Sequence, residues 1–129
     1  MNRKVLTMDI KNDALNAARV MAKYRISSLI LTKQGKPVAV VTERDFLRAV
    51  CARDAKASQI PLENMSSSSL VTIEPTAPIE VASNLMALNR VRHLLVIDDN
   101  EQLVGIITST DLARYLRHGH NSNSFYNIA

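Results

Sequence analysis

The sequence predicts an α/β (α+β) fold made of two tandem β-α-β-β-α repeats, and three observations support this prediction. Residues 5–33 align with residues 70–98 at an offset of 65, and one extra residue in a later turn moves the offset to 66. Each copy contains short apolar runs bounded by turn residues, and each contains an apolar stripe at helical spacing. Because a unit of about 50 residues buries little surface alone, we expect the repeats to pack together.

The first repeat is predicted to run strand, helix, strand, strand, helix. After an opening strand, apolar residues at helical spacing extend from Ala14 to Met21. Two continuous apolar runs, at 29–31 and 38–41, predict strands joined by a turn at 34–36. A second helix follows, because apolar residues recur after the last strand.

The second repeat has the same order of predicted elements. Its helical stripe contains Ile79, Ala82 and Met86, and its strands are predicted from the apolar runs at 94–97 and 103–107. Continuous apolar runs, unlike alternating ones, indicate strands that are buried on both faces. A final helix is again expected after the last strand.

These patterns divide the chain into four segments. The first repeat is expected at residues 4–53 and the second at residues 70–117. Between them, residues 54–69 are expected to be a linker with a short helical turn, and residues 118–129 are expected to be a flexible tail without periodicity.

Composition argues against several classes of protein. No run approaches the roughly 20 apolar residues of a membrane span, and no apolar signal region opens the chain, so we expect no membrane contact. The single cysteine, Cys51, excludes an internal disulfide and a cysteine-rich zinc site. We expect a cytoplasmic protein with no metal, in which Cys51 is partly buried and inert.

The formal charge of +4 hides an asymmetry between the two halves of the chain. Residues 1–60 hold 12 Lys and Arg against 5 Asp and Glu, whereas residues 61–129 hold 4 against 7. The basic half could contact nucleic acid, or the two halves could simply carry differently solvated surfaces. Aromatic residues are only 4% of the chain, which leaves little platform for base stacking and argues against nucleic acid.

The most informative motifs are TERD at 42–45 and TSTD at 108–111, each placed between a predicted strand and a predicted helix. One interpretation is a capping box, in which Thr and Asp exchange hydrogen bonds with the backbone. The other is a nucleotide site, because helix N-termini attract phosphate and a carboxylate one turn later can accept a ribose diol. The two interpretations are compatible. No arrangement of a nucleophile and a base indicates catalysis, so no catalytic residue is assigned.

The duplicated segments VVTERDFLR and GIITSTDLA, with RVRHLLVID between them, resemble a pair of cystathionine-β-synthase (CBS) domains, or Bateman module, over residues 4–117. The resemblance implies an α/β module with two pseudo-symmetric clefts between the repeats. Such clefts bind AMP, ADP, ATP or S-adenosylmethionine as a regulatory ligand, with no required cofactor. It also implies a homodimer.

By position, the resemblance implies that Thr108 and Asp111 hold ribose and phosphate in one cleft, and Thr42 and Asp45 in the other. Arg92 and His93 are expected to meet phosphate, although a solvated arginine and a strand-edge histidine would look the same in sequence. The implied secondary contacts are Leu6, Ile26 and Ser27 for the Asp111 cleft, Val71 and Val91 for the Asp45 cleft, and Arg44, which could instead form a surface ion pair with Glu43 or Asp45. Because the first repeat has serines at 27 and 28 in place of Arg92 and His93, the Asp111 cleft suits a charged phosphate better.

These expectations favour a non-catalytic sensor of an adenosine nucleotide that acts on an unidentified protein. The oppositely charged halves further predict an antiparallel homodimer. Two alternatives are a ligand-free dimerisation or assembly module and a nucleic-acid-associated protein that uses the basic first repeat.

Overall fold

In the computed structural model, which describes residues 5–68 and 70–117, the chain divides into two compact units. The first unit is Leu6–Leu70, and the second contains Val5 and the chain from Val71 onward. Each contains a three-stranded sheet, with the order strand, helix, strand, strand, helix. The predicted α/β fold with two β-α-β-β-α repeats is therefore confirmed. The expected tail at 118–129 lies outside the described residues.

The elements of the first unit are β1 (Thr7–Asp9), α1 (Ala14–Tyr24), β2 (Ser28–Lys33), β3 (Lys36–Thr42) and α2 (Glu43–Phe46), which continues as a π-helix over Leu47–Cys51. Strand β2 is central, parallel to β1 and antiparallel to β3. The turn between β2 and β3 places Gln34 and Gly35 at positive φ, 53° and 78°, as a type I′ hairpin requires.

The elements of the second unit are β4 (Thr72–Ile73), α3 (Ile79–Asn89), β5 (His93–Ile97), β6 (Leu103–Thr108) and α4 (Ser109–Arg117). Strand β5 is parallel to β4 and antiparallel to β6. The repeat extends to the ends of the first helices. Arg25 follows α1 and Arg90 follows α3, and both take the left-handed conformation with φ 54°.

The central strands are buried on both faces, as their continuous apolar runs predicted. Leu29, Ile30 and Leu31 in β2 are at most 1% exposed, although neighbouring strand residues point to opposite faces. The predicted helical stripes lie in the two cores, at Ala14, Ala17 and Met21 in α1 and at Ile79, Ala82 and Met86 in α3.

The segment expected to be a linker, residues 54–69, contributes to the first unit. It contains a 3-10 turn at Leu62–Asn64. Leu62 and Met65 are 0% and 1% exposed and belong to the first core, and a backbone hydrogen-bonded pair at 2.9 Å joins Ser67 to β3. Two buried side chains in an irregular turn have no period, so the sequence did not predict that they belong to the first core.

Cys51 is exposed, which corrects the expectation that it is partly buried. It ends the π-helix, in which Ala49 is the buried residue. Because a π-helix bonds residue i to i+5, its side chains follow a different period from those of an α-helix, and the α-helical spacing misplaced the buried face.

Candidate functional site

Both T-x-x-D motifs lie where the last strand of a repeat meets its last helix. Thr42 ends β3 and Glu43 begins α2, while Thr108 ends β6 and Ser109 begins α4. A buried β-branched run favours the strand. A threonine followed by an acidic residue in the first turn favours a helix start.

In the second repeat, the motif forms a reciprocal capping box. The backbone N–H of Thr108 donates to Asp111 Oδ2 at 2.9 Å, and the backbone N–H of Asp111 donates to Thr108 Oγ1 at 3.2 Å. Both residues are half-buried. The capping interpretation of this motif is confirmed, and Asp111 Oδ1 has no hydrogen-bond partner among the described residues.

In the first repeat, the same motif also forms a capping box, but the carboxylate accepts more hydrogen bonds. Asp45 Oδ2 accepts from the backbone N–H of Thr42 at 2.8 Å and from its hydroxyl at 3.1 Å. Asp45 Oδ1 accepts from Arg48 Nη2 at 3.2 Å, and the same nitrogen donates to the carbonyl oxygen of Met65 at 3.0 Å. Asp111 therefore has more lone pairs left to accept further hydrogen bonds than Asp45 has.

Arg92 and His93 lie at the same end of the second sheet as the TSTD motif. The backbone N–H of Ser109 donates to the carbonyl oxygen of Arg92 at 2.9 Å, and His93 pairs with Thr108 in the strand register. Arg92 is exposed and His93 is half-buried. The structure thus brings together the four residues that the sequence predicted for this site, Arg92, His93, Thr108 and Asp111.

Serine takes the place of Arg92 in the first repeat. The carbonyl oxygen of Ser27 accepts from the backbone N–H of Glu43 at 3.1 Å, and Ser28 pairs with Thr42. Ser27 is exposed. The backbone geometry at this sheet end is therefore repeated, whereas the positive side chain is present only in the second unit.

The other predicted contacts lie within their own units. Leu6 and Ile26 pack against the first core, and Val71 and Val91 pack against the second. Arg44 is exposed on α2, and the alternative ion pair with Glu43 or Asp45 is absent among the described residues, where Arg48 pairs with Asp45 instead. The role of these residues as ligand contacts stays a prediction.

Arg48 is a partner of the first motif that was not predicted from the sequence. Its signal is the spacing T-x-x-D-x-x-R, which places an arginine one turn after the aspartate. The second repeat has Arg114 at the same spacing, without a hydrogen bond to Asp111 among the described residues. The spacing alone therefore could not predict which of the two arginines hydrogen-bonds to its aspartate.

Within residues 5–68 and 70–117, no group of three or more His, Cys, Asp or Glu side chains is placed to hold a metal ion. Over the same ranges, no helix combines the length and apolar character needed to cross a bilayer.

The family is decided by a match to the family model described as CBS domain, which fits residues 1–52 and again residues 58–118. The chain belongs to the CBS domain family. The two matches correspond to the two repeats. The resemblance to CBS domains around the T-x-x-D motifs therefore extends over nearly the whole chain.

Relatives of known sequence agree with this assignment. The CBS domain-containing protein YhcV of Bacillus subtilis is 31% identical over 113 residues, which are 88% of this chain and 79% of that protein. The chain spans about half the length of two further curated relatives, 57% and 53%.

Solved structures share the fold of the CBS pair. A CBS domain protein of Pyrobaculum aerophilum, solved in complex with AMP, has a TM-score of 0.75 and 31% identity, over 85% of this chain and 84% of that one. The CBS domain pair of protein MJ0100, in complex with 5′-methylthioadenosine and S-adenosyl-L-methionine, has a TM-score of 0.81 over 93% and 94% of the chains. Its 21% identity shows the fold alone.

Proposed function

We propose that this CBS pair is a regulatory module that binds an adenosine nucleotide at the TSTD motif of its second repeat. The observation that carries the proposal is the carboxylate of Asp111, which uses Oδ2 for the capping box and has no partner on Oδ1 among the described residues. A ribose diol donates two hydrogen bonds to such a carboxylate. The AMP complex of the Pyrobaculum aerophilum protein supports this class of ligand.

The remaining residues of the site suit a phosphate. Helix α4 has 9 residues, and its N-terminus supplies backbone N–H groups and positive potential beside Asp111. The side chain of Arg92 is exposed at the same sheet end and adds a full positive charge. We assign Asp111 and Thr108 to the ribose side of the ligand, and Arg92 and His93 to the phosphate.

The output of such a module is a change in its own conformational equilibrium, not a chemical reaction. A ligand shifts that equilibrium only through its different affinities for the two states. We therefore propose that the CBS pair is non-catalytic, that it forms a homodimer in the cytoplasm, and that an unidentified protein responds to its state.

Calorimetry with AMP, ADP, ATP and S-adenosylmethionine tests the ligand, and Asp111→Asn tests the site. Because the amide retains an oxygen for the cap but loses the charge, we expect affinity to fall about 5- to 150-fold, or roughly 1–3 kcal/mol. The matched control is Asp99→Asn in the exposed turn before β6, which removes the same charge and should leave affinity unchanged.

A thermal shift gives a second measurement of the same proposal. At about 100 times the dissociation constant, binding should stabilise the folded protein by about 2.7 kcal/mol. If none of the four compounds binds or shifts the melting temperature, the nucleotide proposal fails.

A ligand-free assembly module is the second candidate, because both capping boxes are complete without a ligand. Two exposed leucines on the last helices support it. Leu47 is 63% exposed and Leu116 is 72% exposed. If none of the four compounds binds while the protein remains dimeric, this candidate is favoured.

A further inference from the structure

The two repeats carry the same T-x-x-D-x-x-R spacing but use its arginine differently. Nη2 of Arg48 donates to Asp45 Oδ1 at 3.2 Å and to the carbonyl oxygen of Met65 at 3.0 Å. Arg114, at the equivalent position, is exposed and has no hydrogen bond to Asp111 among the described residues. One carboxylate is thus engaged by an arginine, and the other is not.

Counting acceptor positions shows what this difference means for a sugar. An ionised carboxylate has about four lone-pair positions. Asp45 uses three of them, for the backbone N–H of Thr42, its hydroxyl, and Arg48. Asp111 uses one, for the backbone N–H of Thr108. A ribose diol needs two free positions, so it fits Asp111 and does not fit Asp45.

The guanidinium of Arg48 is held from two sides although its side chain is 62% exposed. On one side it meets Asp45, whose side chain is only 15% exposed. On the other it meets the carbonyl of Met65, whose own side chain is 1% exposed in the first core and so fixes the backbone at that point. Removal of the guanidinium frees one acceptor position and so leaves two open, because Asp45 then keeps only its two bonds to Thr42.

We propose that Arg48 closes the Asp45 position to ribose, so that the CBS pair binds one adenosine ligand per chain, at Asp111. This inference rests on the proposed function. It makes Arg48 the residue that determines how many ligands the chain holds, and it assigns the first T-x-x-D motif to helix capping alone.

A competing explanation is that the first repeat lacks a cation for phosphate, since Ser27 stands where the second repeat has Arg92. Adenosine separates the two explanations, because it carries the ribose diol but no phosphate. If Arg48 is what closes the position, the first repeat excludes adenosine as well as AMP. If only the cation matters, adenosine binds to both repeats.

The experiment is calorimetric titration of the full chain with adenosine and with AMP. The test variant is Arg48→Met, which keeps an unbranched apolar stem similar to that of arginine but removes the guanidinium with its charge and donors. The matched control is Arg114→Met. We expect one site per chain in the unmodified protein and in Arg114→Met. In Arg48→Met we expect a second adenosine site, with first-repeat affinity raised about tenfold, the effect of one hydrogen bond to a charged group.

Two further variants identify which aspartate is occupied. Asp111→Asn should lower the adenosine affinity of the otherwise unmodified protein about 5- to 150-fold. Asp45→Asn should leave the stoichiometry of the otherwise unmodified protein unchanged and remove only the second site gained in Arg48→Met. Circular dichroism and the melting temperature verify that each variant folds. Since Arg48 is largely exposed, Arg48→Met should remain folded.

The inference about Arg48 is overturned if Arg48→Met still binds one adenosine per chain, or if Asp45→Asn lowers the stoichiometry of the unmodified protein. Binding at Asp111 persists in both cases, so the proposed function would survive. If neither the unmodified chain nor Arg48→Met binds any adenosine compound, the proposed function fails and this inference fails with it.

Discussion

The hydroxyl of Thr108 serves the fold as a helix cap, independently of any ligand. It accepts the backbone N–H of Asp111 at 3.2 Å, and that bond satisfies a donor that the first turn of α4 would otherwise leave free. We predict that Thr108→Val lowers the free energy of unfolding by about 1 kcal/mol. Urea denaturation measures this loss.

The control for that variant is Thr110→Val, two residues later. Thr110 is exposed, and no hydrogen bond of its hydroxyl is present among the described residues, so its loss should change stability by less than about 0.5 kcal/mol. Equal losses for the two variants would contradict the capping role.

Single residues also show which features of the candidate site could be predicted from the sequence and which could not. The resemblance to CBS domains implied that Arg92, His93, Thr108 and Asp111 share one site, whereas periodicity gave only the strands and turns that carry them. The spacing could not predict that Arg48 and Arg114 make different hydrogen bonds. The difference depends on the carbonyl oxygen of Met65, which is 17 residues from Arg48 in the chain and is brought near it only by tertiary packing. Local spacing determines which residues are neighbours on a helix, and tertiary structure determines which acceptors they reach.

Among the secondary-structure elements, the turn at Leu62–Asn64 is the one whose energetic role is least visible in the sequence. Leu62 and Met65 are almost fully buried in the first core. We predict that Leu62→Ala lowers the free energy of unfolding by about 2–5 kcal/mol, and Met65→Ala by a similar amount, because each substitution leaves a cavity. Leu88→Ala, at a leucine 81% exposed on α3, is the control and should cost less than about 0.5 kcal/mol.

The same urea titration decides between a linker and a structural part of the repeat. A free linker tolerates Leu62→Ala with a change close to that of the Leu88→Ala control. A turn that completes the core shows the large loss. A small loss at both Leu62 and Met65 would contradict the assignment of this turn to the first core.

The strands and the first helices could be predicted because their burial is periodic or continuous, whereas the helix after β3 could be predicted only in outline. Its C-terminal part is a π-helix over Leu47–Cys51, which moved Cys51 to the surface.

Ala49 and Tyr115 hold the same repeat position and are both buried. The first core combines the small Ala49 with side chains from outside its repeat, and the second uses the large ring of Tyr115. Repeat alignment does not reveal such compensation.

At the scale of the whole molecule, the charge asymmetry is the property that neither repeat explains by itself. The first 60 residues carry 12 basic and 5 acidic side chains, and the remainder carries 4 and 7. In a homodimer of this CBS pair, an antiparallel arrangement would bring the basic half of one copy to the acidic half of the other. Complementary charge favours such an arrangement and disfavours the parallel one, in which like halves meet.

We therefore predict that dimerisation of the chain weakens with salt. Because screening shortens the Debye length from about 10 Å at 0.1 M to about 3 Å at 1 M, the dimer dissociation constant should rise about tenfold over that range. Light scattering coupled to gel filtration at a series of protein concentrations measures it. A variant with Gln at the exposed positions Lys11, Lys33, Lys36 and Lys56 should show a markedly shallower salt dependence, since it loses four of the basic charges. A dimer insensitive to ionic strength, or a variant with an unchanged salt dependence, would contradict the electrostatic arrangement and leave the exposed leucines of the last helices as the surface to test.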